Sequence, residues 1–100
     1  MTSEGRIHLL LSAQQAMLGH VTSNLRMFSV EEDGKTIKTL AVFAAPPSAH
    51  EIELTQFAGT GIIANYVDAM IDEQWEVSTD RSPRGLTHVV YLRYEPGDDI

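Results

Sequence analysis

The sequence predicts an α+β two-layer sandwich. The chain order is helix, hairpin, helix, hairpin, with a four-stranded, mainly antiparallel sheet and two helices on one face. Three observations predict it. Apolar residues recur at helical spacing near the N-terminus. An Asp33-Gly34 dipeptide separates two alternating segments, as in a tight hairpin. Directly after Pro46-Pro47, Ser48 stands three residues before Glu51, the signature of a capping box at a helix start.

Each element follows from its pattern. Ile7, Leu10, Leu11, Met17, Leu18 and Val21 share a helical stripe, so residues 6–22 read as the first helix, with Gly19 near its end. Residues 24–31 alternate and residues 35–45 return. With Asp33-Gly34 as the two-residue loop, Val30 faces Ile37 and Phe28 faces Thr39. Phe28, Val30, Ile37, Ala41 and Phe43 then share the more aromatic face, which is assigned to the core. Met27, Leu40 and Val42 fall on the other face, as covered core or as an apolar binding patch. The second helix runs from Ser48 to about Asp68 and uses Ile52, Phe57, Ile62, Ile63, Tyr66, Val67 and Met70. Gly59 and Gly61 each cost it about 1 kcal/mol relative to Ala, so either a close crossing of the sheet accommodates them or they break the helix; one helix, less regular around the glycines, is expected. Residues 74–79 and 86–95 read as the last hairpin, joined by the loop with Ser82-Pro83, Gly85, Arg81 and Arg84. The tail from Pro96 is polar and expected to fray.

One hundred residues make a single domain, 1–100, able to bury a core without disulfides. There is no cysteine, which excludes a disulfide framework and thiolate metal sites. The apolar run after Arg6 is too short and polar for a signal peptide or membrane span, so a cytoplasmic protein that does not engage membranes is expected.

No constellation points to catalysis, a metal or a cofactor. His50-Glu51-Ile52-Glu53 lacks the second His four residues on that a zinc helix needs. Gly59-Thr60-Gly61 has no following Lys-Ser/Thr, so it is no phosphate loop. Arg81, Arg84 and Arg93 do not make a basic face, which argues against direct nucleic-acid binding.

What the chain does carry is negative charge: 14 Asp and Glu against 7 Lys and Arg, a net charge of -7. It is concentrated at the first hairpin tip (Glu31, Glu32, Asp33) and around the end of the second helix and beyond (Asp68, Asp72, Glu73, Glu76). Such a field favours encounter with a basic partner. Met27 and Trp75 are the apolar side chains placed to anchor one.

The run Leu9-Leu10-Leu11-Ser12-Ala13-Gln14-Gln15-Ala16-Met17-Leu18-Gly19, then Asn24-Leu25-Arg26 before an alternating strand, resembles a group of small bacterial proteins. The likeness continues through Ile62-Ile63-Ala64-Asn65-Tyr66 and Val89-Val90-Tyr91-Leu92-Arg93-Tyr94-Glu95. The group is the immunity proteins of bacterial toxin loci, including contact-dependent growth inhibition. The resemblance implies a non-enzymatic protein that binds and neutralises a cognate toxin domain by covering its active site or substrate surface. A nuclease is the expected toxin class, because an acidic inhibitor suits a basic, phosphate-binding surface. The expected contacts are Glu31, Glu32, Asp33, Asp72, Glu73, Glu76, Met27 and Trp75. The alternative is a small self-associating or adaptor domain, a homo-oligomer that buries the Met27, Leu40 and Val42 face.

Overall fold

The computed structural model describes residues 3–64, 66, 68–79 and 85–93. The loop arginines Arg81 and Arg84 and the tail from Pro96 lie outside the described residues. The elements are α1 (Ser3–Met17), β1 (Leu25–Asp33), β2 (Thr36–Phe43), α2 (Ala49–Ile63), β3 (Met70–Val77) and β4 (His88–Leu92). They form one four-stranded sheet in the order β3-β2-β1-β4. The pairs β1–β2 and β1–β4 are antiparallel, and β2–β3 is parallel.

The sheet is therefore mixed, and its last two strands are not a hairpin: they lie at opposite edges. A helix inserted between two strands returns the chain to the same end of the sheet, so β2–α2–β3 is a crossover unit with parallel strands. The chain after β3 must then traverse the sheet to reach the free side of β1.

The first hairpin is real, with its turn one residue later than expected. Asp33 pairs with Thr36, Val30 with Thr39 and Phe28 with Ala41. The two loop residues are Gly34 and Lys35, and Gly34 alone of the two has positive φ, 64°. That is the pattern of a type II′ turn. Moving a turn by one residue shifts the cross-strand pairing by two, so every side chain keeps its face. Phe28, Val30, Ile37, Ala41 and Phe43 accordingly all lie in the core.

The first helix is shorter than expected and turned differently. It ends at Met17, with Gly19 at φ 80° just beyond and His20 N–H donating back to the Met17 carbonyl at 3.0 Å. Leu9, Ser12, Ala13 and Met17 are buried, whereas Ile7, Leu11, Leu18 and Val21 are exposed. The reason is the contact with α2. A Cβ on Gly61 would sit 3.3 Å from the Ala16 Cβ, so the helices meet through their smallest side chains. That contact fixes which face of α1 is turned inward, and most of the bulky residues face out.

The capping box at Ser48 is present: Ser48 Oγ accepts from Glu51 N–H and Glu51 Oε1 accepts from Ser48 N–H, both at 3.1 Å. The Ser48 backbone bond holds the Glu51 carboxyl below its usual range; bonds from Asn24 and Thr22 assist. The helix continues through both glycines and buries Ala58, Gly59 and Ile62. It stops at Ile63, short of Asp68. Asp68, at φ 59°, turns the chain, and Met70 then opens β3 by donating to the Lys35 carbonyl at 2.8 Å. Asp tolerates this left-handed conformation better than most residues.

On the sheet face away from the core, Met27 and Val42 are also buried and Leu40 is half-buried. Gly85 lies over Met27 and Ser29, so close that a Cβ there would be 3.1 Å from each. Leu86 N–H donates to Ser29 Oγ at 2.9 Å. The end of the traverse thus covers the apolar centre of this face. Buried Arg26 ties β1 to the end of β3, donating to the Ser78 carbonyl at 2.6 Å.

Ser48→Ala removes one half of the capping box. It is expected to destabilise the fold by about 1 kcal/mol, read as a lower urea midpoint with unchanged slope.

Candidate functional site

The parallel pairing of β2 and β3 brings together two acidic segments that are far apart in sequence. Lys38 on β2 stands opposite Glu31 on β1 and opposite Asp72 on β3. Its ammonium lies 3.4 Å from Asp33 Oδ2. One lysine thus faces carboxylates from both neighbouring strands. Such a pair in solvent contributes about 0–1 kcal/mol, and one positive charge cannot balance three negative ones. The Glu31 carboxylate is held by Thr87, whose hydroxyl donates to Oε1 at 2.9 Å.

The row continues along β3. Gln74 stands opposite Leu40 and Glu76 opposite Val42, on the same face as Asp72. Gln74 Nε2 donates to Asp72 Oδ2 at 3.4 Å. Four residues of strand put Asp72 and Glu76 roughly 13 Å apart. Glu31, Asp33, Asp72 and Glu76 therefore form an acidic strip on the outer face, which Lys38 only partly offsets.

Glu32, Glu73 and Trp75 point to the helix side instead. Glu73 rests against α2 at Gly59, where an added Cβ would meet its Cδ at 2.8 Å. Loss of solvent on this side raises the Glu73 carboxyl above its ordinary value, though the residue as a whole remains exposed. Trp75 is 48% exposed, with its ring edge-on to Phe43 at 6.5 Å between centroids. Glu32 adds its charge to the environment of Tyr66, whose hydroxyl is pushed up first by burial and then by that carboxylate.

The structure thus pairs Lys38 with Asp33, places Glu31 and Asp72 on the strands either side of it, extends the strip to Glu76, and sets Glu73 and Trp75 behind the same strand. Met27 is separate: it is 1% exposed beneath Gly85, so a partner could reach its side chain only by displacing the traverse. The focal role of Lys38 was not foreseen. Its position opposite Glu31 follows from the hairpin register, but its position opposite Asp72 depends on the non-local β2–β3 pairing.

The histidines are used singly. His8 packs edge-on to Tyr66 at 5.0 Å, and His20 Nδ1 lies 2.7 Å from the Ala16 carbonyl. Among the described residues no group of three His, Asp or Glu side chains is placed to hold a metal ion, and no helix is long and apolar enough to cross a membrane.

An acidic surface on a small α+β scaffold is the makeup of a protein that works by binding another. A family model described as MafI2 immunity protein matches residues 6–95. The chain belongs to this family, which makes it an immunity protein of a toxin locus, with a toxin-neutralising role and a cognate toxin as its partner. A comparison with curated proteins finds no match.

The raised Glu73 carboxyl has a definite sign in stability. Because its folded value lies above the ordinary 4.5, its charge costs stability fully above the folded value. That cost is relieved as pH falls, and is gone below 4.5. Glu73→Gln should therefore stabilise the protein at pH 7, by less than about 1 kcal/mol because the group keeps much of its solvent. Thermal melts should show this advantage shrinking to nothing as the pH approaches 4.

Proposed function

We propose that this immunity protein neutralises a basic nuclease toxin by laying its acidic strip over the toxin's active site or substrate surface. The observation that carries this reading is the placement of Glu31 and Asp72 on the strands either side of Lys38, itself paired with Asp33, with Glu76 further along the same row. A nuclease must hold a phosphate chain, so the surface around its active site is basic. Carboxylates spaced along a strand offer that surface a substitute for phosphates and speed the encounter. Glu73 and Trp75 border the strip, and a half-exposed tryptophan is the kind of side chain that anchors an interface. Glu32 and Asp33 extend the contact to the hairpin tip, and Met27 supports it from below the traverse.

In this reading the protein performs no catalysis, needs no cofactor or metal, and meets the toxin in the cytoplasm. Delivery of the toxin by contact between cells is the setting the sequence resemblance implies.

The test uses the toxin domain encoded beside this chain's gene. Asp72→Lys combined with Glu76→Lys should slow association about tenfold at low salt, flatten its salt dependence, and reduce protection of cells that express the toxin. An association rate equal to wild type at low salt would rule the strip out as the steering surface.

The exposed side chains of Ile7 and Leu11 on α1, and of Leu18 just beyond its end, favour a second reading, self-association through that helix. Sedimentation equilibrium decides it: a dimer lost in Leu11→Gln supports this reading, and a monomer at all concentrations ends it.

A further inference from the structure

β3 is an edge strand: among the described residues, no other strand pairs with its outer side. It pairs with β2 on one side only, over an unbroken register from Met70 to Val77. Proteins normally protect such an edge with shortness, bulges, proline, lysine or a covering segment. The opposite edge is managed in that way: β4 spans only His88–Leu92, and its pairing with β1 is broken by a register shift. β3 is longer, Met70–Val77, and contains no proline, no lysine and no register shift.

The direction of its free backbone groups follows from two bonds. Met70 N–H donates to the Lys35 carbonyl and Ser78 N–H to the Phe43 carbonyl, both on the β2 side. Alternation along a strand then points the N–H and C=O groups of Ile71, Glu73, Trp75 and Val77 away from the sheet. Among the described residues no backbone bond reaches the strand from that side.

The side chains select what can pair there. Asp72 and Glu76 lie on the outer face and Glu73 on the helix side, with no base on the strand. A second copy of β3 would bring like charges together, which is unfavourable for cross-strand neighbours. A basic strand would be attracted. Trp75 and Val77, exposed at 48% and 41% on the helix side, give that strand an apolar partner row.

We propose that the toxin supplies an extended basic segment that pairs with the free edge of β3 and continues the sheet as a fifth strand. Its Lys or Arg side chains lie beside Asp72 and Glu76, and its apolar side chains lie beside Trp75 and Val77. This rests on the toxin-binding reading above and specifies its mode: main-chain hydrogen bonds supply affinity, and the alternating side chains supply specificity.

The test separates the backbone from the charge, again with the toxin domain encoded beside the gene. Glu73→Pro and Glu73→Gln both remove the carboxylate, but only the proline removes an outward N–H. Proline is tolerated where an edge N–H faces solvent. Glu73→Pro should bind the toxin about tenfold to a hundredfold more weakly than Glu73→Gln. Because the proline variant could also fold poorly, hydrogen exchange is measured on the wild-type chain. The amides of Ile71, Glu73, Trp75 and Val77 should exchange freely alone and slow by about tenfold or more in the complex. Those of Asp72, Gln74 and Glu76, already bonded to β2, should be protected in both states. Equal affinity of the two variants, or outward amides that stay unprotected in a tight complex, overturns strand addition and leaves the toxin-binding function standing. A wild-type chain that neither binds nor protects against the toxin overturns both. Slow outward amides in the isolated chain, with a dimer in sedimentation, overturn it in favour of a second copy.

Discussion

Parallel pairing of β3 with β2 demands a crossover, and α2 is that crossover. From this one arrangement the candidate surface follows. The crossover makes β3 an edge, carries Asp72 next to Lys38, and forces the remaining chain across the outer face to reach β1. The same traverse that closes the sheet at β4 buries Met27 and Val42 under Gly85 and Leu86. An antiparallel β3–β4 hairpin would have left that apolar centre open and β3 paired on both sides. Acidic strip, covered centre and free edge are three results of one connection.

The crossover needs α2 to lie close on the sheet, and Gly59 and Gly61 make that approach. Gly59 gives its missing side chain's space to Glu73 and Ile71, and Gly61 lets Ala16 of α1 come near. Glycine costs a helix interior about 1 kcal/mol, and the packing gained on two sides offsets it. The approach also orients α1: with Ala16 turned toward α2, Leu9, Ala13 and Met17 enter the core and Leu11 and Leu18 do not.

What was legible in the sequence was local. Ser48 and Glu51 mark the start of α2 because the capping box is contained in four residues. The hairpin was legible as a hairpin. Its core face survived a misplaced turn because a one-residue turn shift preserves side-chain parity. The face of α1 was not legible: a stripe of Leu and Ile outweighs a stripe of Ala and Ser by hydrophobicity, while the structure is decided by how closely the helices approach. The partner of β3 was not legible either. Choosing β2 over β4 depends on the helix between them, and strand alternation alone carries no such information. For the site, the acids were visible as two clusters, and only the fold shows that they are one.

An open, regular edge is a hazard that most proteins remove, because it invites pairing with any extended chain. Here the acids limit that hazard without closing the edge. Asp72, Glu73 and Glu76 would repel a second copy or an acidic strand and, on the strand-addition proposal, attract a basic one. The means of preventing aggregation and the means of choosing a partner are then the same side chains. Glu73 shows the cost: its carboxyl is held against Gly59 with its ionised form disfavoured. A residue selected for stability alone would be uncharged at that position. On the strand-addition proposal, the acid placed there answers to what the edge attracts and refuses rather than to what the core requires.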